Sequence, residues 1–345
     1  MRWLWKLLWA PVSFVGKIIF HAIMNVLGFA LITVLLVALI VAPAYYMWVA
    51  PGPLAETTTV VIERGGLKQI TDKLLESGVI AKPEQLFMVG VVATGLRGDL
   101  KAGEYEFPAR ASMAEVAALM ASGHVVVHKV TVVEGMTVAE VLALLKADPV
   151  LEGEIDTTPP EGLLLPETYF YNRGDTRAEV LARMKEAGSK ALEEAWANRD
   201  PALPLTSAQQ LLTLASIVEK ETGLPAERAR VAGVYINRLK QGMRLQSDPT
   251  TIYALTRTGN LGRALTLNDL KTVSPYNTYM SDGLPPGPIA NPGLASLQAA
   301  ARPESHAYLY FVADGTGGHA FATTLEEHNR NVSKWRQIQL QAVKR

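Results

Sequence analysis

The chain has 345 residues, enough for two domains with ample core. Lysine plus arginine and aspartate plus glutamate both number 33, a balance that gives no reason to expect a nucleic-acid partner. There is no cysteine, which excludes disulfides, thiol catalysis and cysteine-ligated metals.

Residues 1–55 carry Arg2, Lys6 and Lys17 and no acidic side chain. From Val26 to Trp48 only the hydroxyls of Thr33, Tyr45 and Tyr46 interrupt an apolar run. At ~1.5 Å per residue that run is long enough to cross a hydrocarbon core of ~30 Å. All three positive charges precede it, so residues 1–25 are expected on the cytoplasmic side and the rest of the chain outside. Tyr45, Tyr46 and Trp48 are expected at the outer interface, while Trp3, Trp5 and Trp9 would hold the N-terminal segment against the membrane. Ala42-Pro43-Ala44 imitates a signal-peptidase site, but the apolar run is too long and begins too late for a cleaved signal. The expectation is a transmembrane helix over 26–48.

After the linker at Ala50–Pro53, a strand is expected at Thr57–Ile62 and an amphipathic helix within Gly65–Ile80. Lys101–Phe107 reads as a second strand. Ser112–Met120 reads as a helix opened by a capping box of Ser112 and Glu115. Val125–Val133 and Gly135–Leu145 repeat the strand, turn and helix. These short repeats resemble LysM carbohydrate-binding modules, so 49–156 is expected to be a LysM-like subdomain with its linkers, followed by a larger domain over 157–345. Glu161–Tyr171 is too rich in Pro and Gly marks for a plain helix. Arg177–Ala197 reads as a charged, solvated connector helix.

Leu211–Gly223, LLTLASIVEKETG, has the apolar density of a buried helix yet ends in Glu219 and Glu221. Thr206 and Ser207 offer N-cap oxygens and Gly223 a C′ residue. At ~100° per residue, Leu211, Leu214, Ala215 and Val218 centre the apolar stripe, with the glutamates on its two flanks. A carboxyl against apolar neighbours is a candidate general acid. Periodicity does not choose between the two.

Pro225–Met243 is expected to be a second long helix with Pro225 near its start. A polar turn at Gln246–Thr250 precedes a short helix at Thr251–Ala254. Ser274–Tyr279 and Gly283–Gly293 are stiff loops of Pro, Gly, Asn and Tyr, whose rings and amides suit sugar faces, hydroxyls and N-acetyl groups. Leu297–Arg302 reads as helix, Tyr308–Ala313 as strand, and Leu325–Val343 as a terminal helix. His306, His319 and His328 lack the spacing of a metal site, and neither a phosphate loop nor a G-x-S-x-G elbow occurs, so no metal or cofactor is expected.

Several of these segments together resemble the endolytic murein transglycosylase (MltG, YceG-like) family. They are Ala215–Gly223 (ASIVEKETG), Val231–Leu239 (VAGVYINRL), Leu245–Leu255 (LQSDPTTIYAL), Ser274–Gly293, the Phe321…Glu327-His328 tail and, with Glu167 where Asp is more usual, Glu161–Tyr169. The resemblance implies an α+β protein of the bacterial inner membrane with a cleft beside the central helix. Its substrate would be nascent peptidoglycan, cut within the strand between N-acetylmuramic acid and N-acetylglucosamine. It further implies that Glu219 is the catalytic acid. Glu221, Gln246, Ser247, Asp248, Tyr276, Asn277, Thr278, Tyr279 and Asn291 are expected to line the groove. The implied partners are glycan strands, the bilayer and peptidoglycan synthases. In such chemistry the sugar's own C6 hydroxyl attacks C1, which explains how one carboxyl suffices. Two alternatives share these residues: a non-catalytic, membrane-anchored peptidoglycan-binding scaffold, and a muramidase that uses water.

Overall fold

The computed structural model describes residues 2–343, with side chains described for 16–341. The chain is α+β and divides into two compact units, Met1–Val126 and Val127–Arg345. The membrane-hugging role expected of Trp3, Trp5 and Trp9 falls on side chains outside the described residues.

The first unit begins with α1 (Arg2–Val49), a continuous helix. Its stretch Gly16–Val49, 34 residues, is long and apolar enough to cross a membrane, and none of its most apolar window is buried in protein. There follow β1 (Thr58–Ile62), α2 (Leu67–Glu76), α3 (Glu84–Ala93), β2 (Gly103–Phe107) and α4 (Met113–Ser122). β1 and β2 form an antiparallel ladder with Thr58 opposite Phe107 and Ile62 opposite Gly103. Ile62, Leu74, Phe87, Val91, Tyr105, Phe107 and Met120 fill the core beneath it. The Ser112–Glu115 capping box forms as expected, with the Ser112 N–H donating to the Glu115 carboxylate over 2.8 Å. Helix α3 has no counterpart in the sequence expectation, because EQLFMVGVVA is apolar on almost every face and shows no helical period.

The end of α1 belongs to this core. Trp48 is buried, its ring 6.0 Å from that of Phe87. A Cβ at Gly90 would lie 2.3 Å from the Trp48 ring, so only glycine admits the indole there.

The second unit opens with β3 (Val127–Thr131) and α5 (Val138–Ala147), then β4 (Thr168–Asn172), α6 (Arg177–Ala197) and α7 (Ala208–Glu221). α8 (Arg228–Lys240), α9 (Asp248–Thr256), α10 (Leu294–Ala301), β5 (Tyr310–Ala313), β6 (His319–Ala322) and α11 (Leu325–Val343) complete it. The boundary at Val126 precedes the expected one because β3 pairs antiparallel with β4, Val127 opposite Asn172 and Thr131 opposite Thr168. The third strand–turn–helix repeat therefore packs with the larger unit, where Val141 and Leu145 meet Tyr171, Val180 and Met184.

The solvated connector expected at Arg177–Ala197 is instead a core helix: Val180, Leu181, Met184, Ala191 and Leu192 are buried. Gly188 is its point of closest approach, since a Cβ there would fall 2.1 Å from the Leu163 carbonyl oxygen. Helix α7 runs through the main core, with Leu211, Leu214, Ala215, Ile217 and Val218 wholly enclosed. Burial of that apolar surface, at about 25 cal/mol per Å², dominates what holds the helix.

Candidate active site

Helix α7 starts where the sequence indicates. The Ser207 hydroxyl accepts the Gln210 N–H at 3.2 Å, and the Thr206 N–H donates to the Gln210 side chain at 2.7 Å. It ends at Glu221, with Thr222 extended. Gly223 occupies C′ without a left-handed φ, so the chain leaves the helix straight rather than in a Schellman turn. Helix α8 begins at Arg228, later than Pro225. Its N-cap residue Glu227 is engaged elsewhere, accepting the His319 N–H at 3.0 Å and facing the His319 ring nitrogen at 2.7 Å. Helix α9 begins at Asp248, earlier than expected, because Pro249 suits the first helical turn.

The two glutamates at the end of α7 have different surroundings. Glu219, 5% exposed in its side chain, accepts the Gly293 N–H at 2.9 Å and lies 3.7 Å from the Arg228 guanidinium. Arg228 also pairs with Glu134 at 3.1 Å, so this flank ties the loops at 134 and 293 to the helices. A Cβ at Gly293 would lie 2.1 Å from the Glu134 carboxylate, so a larger residue there would have to displace that side chain.

Glu221 faces the other way. Its Oε1 accepts the Ser247 hydroxyl at 2.5 Å and the Tyr235 hydroxyl at 2.6 Å. Burial raises its pKa above the ordinary carboxyl value; the two hydroxyls pull against that rise, and nearby Asp248 adds to it. The carboxyl lines a cavity of about 430 Å³ shared with Tyr235, Arg238, Gln246, Asp248, Tyr279 and His319. Asp248 accepts the Tyr279 hydroxyl at 2.6 Å, and burial together with that bond holds the phenol far above its usual pKa. Arg238 is pinned by donating to the carbonyls of Leu309 at 2.6 Å and Leu245 at 2.8 Å. His328 stacks on Tyr310 at 5.3 Å, also at the cavity, and its buried Nδ1 has no hydrogen-bond partner among the described residues. Burial and the Arg238 charge lower the His328 pKa.

The remaining expected groove residues divide. Gln246, Asp248 and Tyr279 line the cavity with Glu221. Ser247, Asn277, Thr278 and Asn291 are buried and spend their polar atoms on the protein itself. Thr278 Oγ1 accepts the Ser247 N–H at 2.9 Å and meets the Thr250 hydroxyl at 2.8 Å. Asn277 donates to the carbonyls of Leu270 and Thr272 at 3.0 and 2.8 Å and accepts the Thr251 hydroxyl at 2.8 Å. Asn291 accepts the Leu164 N–H at 3.0 Å and donates to the Met136 carbonyl at 2.9 Å. In this structure these hydroxyls and amides brace the surrounding loops, since a buried polar group must find its partners within the fold. Tyr276 sits in another cluster, 5.1 Å from Tyr253 and beneath the Arg257 guanidinium at 4.4 Å.

Sequence reasoning passed over Tyr235, Arg238, Glu227, His319 and His328 as site residues. Tyr235 falls on the apolar face of α8, and of the histidines only His328 lies in a motif of the family resemblance. The polar tip of an otherwise apolar tyrosine was the available signal.

The cavity at the end of α7 thus brings together a carboxyl, a guanidinium, a phenol and an imidazole from separate elements of the second unit. The model of the YceG-like family matches residues 60–334, and the chain belongs to that family. Its relatives include the endolytic murein transglycosylase of Bacillus subtilis (strain 168), 40% identical over 177 residues, which are 51% of this chain and 48% of that protein. The endolytic murein transglycosylase of Streptococcus pneumoniae serotype 2 is 36% identical over 180 residues, 50% of this chain and 32% of that protein. The chain thus spans about half the length of the first and about a third of the second. A crystal structure of a YceG-like protein from Listeria monocytogenes superposes with a TM-score of 0.50 at 33% identity, covering 80% of this chain and 99% of that one.

Proposed function

We propose that this protein is a membrane-anchored lytic transglycosylase that cuts peptidoglycan strands internally, with Glu221 as its acid and base. The observation that carries the reading is the Glu221 carboxyl, its pKa raised by burial, at the wall of a polar cavity at the end of α7. The names of the curated relatives supply the substrate class. Glu219, the acid that the family resemblance implies, accepts the Gly293 N–H and lies beside Arg228, and comparison of Glu219→Gln with Glu221→Gln decides between the two carboxyls.

Two hydroxyls donate to Oε1, which leaves Oε2 as the oxygen that would carry the acid proton. It passes to the glycosidic oxygen as the bond from C1 of N-acetylmuramic acid to N-acetylglucosamine breaks. The resulting carboxylate then accepts the proton of the C6 hydroxyl as O6 bonds to C1, closing a 1,6-anhydro ring. No water is consumed, and the nucleophile is already tethered to the reacting carbon. Arg238, Gln246 and Tyr279 present donors and a ring for the sugars, and His319, oriented by Glu227, contributes to the field around Glu221. A single-pass anchor with a cytoplasmic N-terminus would hold this site outside the cell membrane, where nascent strands and their synthases meet it.

The full chain in detergent, incubated with uncrosslinked glycan strands, tests the reading by mass spectrometry of new ends. Anhydro ends from wild type and none from Glu221→Gln support it. Ends one water heavier would move the chemistry to hydrolysis, for which Asp248, lining the same cavity, is the second carboxylate. Bound but uncut strands would leave the scaffold reading in its place.

A further inference from the structure

Helix α3 has two contrasting faces. Phe87 and Val91 are fully buried in the core of the first unit, whereas Val89 and Val92, on the opposite side, are 63% and 53% exposed. Ala93 extends that exposed apolar face, and exposed Lys82 and Arg97 flank the helix at its two ends. Gly90, on the edge between the faces, is the residue that receives the Trp48 ring. A strip of this kind on a unit otherwise well packed asks for an occupant.

The end of α1 identifies it. Exposed Tyr45 and Tyr46, near the end of the apolar stretch Gly16–Val49, have the place of interfacial aromatics at headgroup level, and the buried Trp48 follows within the same turn. Because Gly90 leaves no room for even a Cβ between helix and indole, α3 lies at the same height as that ring. Exposed Tyr45, Tyr46 and Val49 continue the apolar surface around the end of α1. A helix at this level with an apolar outward face, Glu84 in its first turn and Lys82 and Arg97 just beyond its ends, is placed to meet the membrane interface.

We propose that α3 lies in the outer headgroup–acyl boundary of the bilayer, its Val89 and Val92 face immersed and Lys82 and Arg97 set against anionic headgroups. The first unit is then held down on the membrane rather than tethered above it. This rests on the reading of α1 as a membrane span.

The absence of cysteine permits a direct test with single-cysteine variants of the full chain carrying an environment-sensitive dye. Val89→Cys reports α3, Leu36→Cys reports α1, and His124→Cys, at an exposed position just beyond the far end of α4, is the aqueous control. All three positions are exposed, so the substitutions leave the core intact. The variants are reconstituted in vesicles of phosphatidylcholine and phosphatidylglycerol at low protein density. The Val89 label is expected to emit at shorter wavelength and to lose emission when the lipids carry a shallow nitroxide, while the His124 label responds only to aqueous iodide. A Leu36 label quenched by lipid beside a Val89 label quenched only by iodide would overturn the proposal and leave the span intact. Iodide quenching at both positions would overturn the span reading as well. A Val89 response that appears only as protein density rises would assign the face to a second copy of the chain and overturn the lipid assignment.

Discussion

Glu219 and Glu221 stand two residues apart at the end of α7 and turn their carboxylates to opposite flanks. Glu219 takes the Gly293 N–H and faces Arg228; Glu221 takes the hydroxyls of Tyr235 and Ser247 beside the cavity. One helix end thus carries a clamp and a candidate acid. The two roles separate by mutation.

Glu221→Gln is expected to cut strand cleavage by about 10²–10⁴-fold, the usual worth of a positioned acid. Its fold should survive, because the amide oxygen can still accept the Tyr235 and Ser247 hydroxyls. Glu219→Gln should retain more activity than Glu221→Gln and show its effect in the melting temperature, since it weakens the Arg228 contact. Product counting by mass spectrometry together with circular-dichroism melts decides, and equal loss of cleavage at sound stability in both variants would sink the assignment.

The raised pKa of Glu221 has a consequence for stability. A carboxyl whose folded pKa lies above its unfolded value contributes stability that is fully present below the unfolded pKa and is lost as pH rises through the folded pKa. The difference in melting temperature between Glu221→Gln and wild type should therefore grow in favour of the variant as pH rises from about 4 towards neutrality and beyond. Cleavage by the wild type should fall over the upper part of the same range as the acid loses its proton. A flat difference across pH would contradict the burial of this carboxyl.

Asn291 joins three segments, accepting from Leu164 and bonding to Met136 through both its side-chain amide and its backbone N–H. Asn291→Ala leaves buried groups unsatisfied and is expected to cost about 2–3 kcal/mol. Denaturant unfolding measures it. A cost below the error of the method would return Asn291 to the role of substrate ligand.

Gly188→Ala should be more damaging than its size suggests, because the new methyl meets a carbonyl oxygen of the chain rather than a movable side chain. Overpacking of this sort costs about 1–3 kcal/mol. Wild-type stability in the variant would mean that α6 and the Leu163 segment separate readily.

The sequence made some of this legible and hid the rest for physical reasons. Capping at Ser112 and Ser207 depends on neighbours a few residues away, so those helix starts could be read directly. The split between the two units could not, because β3 finds its partner in β4 across an intervening helix. The cavity was hidden for the same reason: its walls come from α7, α8, the loop at Gln246, Tyr279 and the β5–β6 hairpin. Helical periodicity placed Glu219 and Glu221 on two flanks of α7, but what each flank meets is set by Gly293 and Arg228 on one side and Tyr235 and Ser247 on the other. The motif residues Asn277, Thr278 and Asn291 were visible as polar; only their neighbours reveal that they face inward.

Trp48 makes α1 and the first unit a single lever. The stretch Gly16–Val49 contains 34 residues, more than the ~20 that cross a bilayer upright, so as the proposed span it would lean or reach past the hydrocarbon. With its last turn keyed into Gly90 and Phe87, the lean is passed to everything packed around them. On the proposed reading of α1 as a span, local bilayer thickness would set the angle at which the first unit stands. A thinner membrane would incline the unit further, through a joint that lacks the space for even one methyl group.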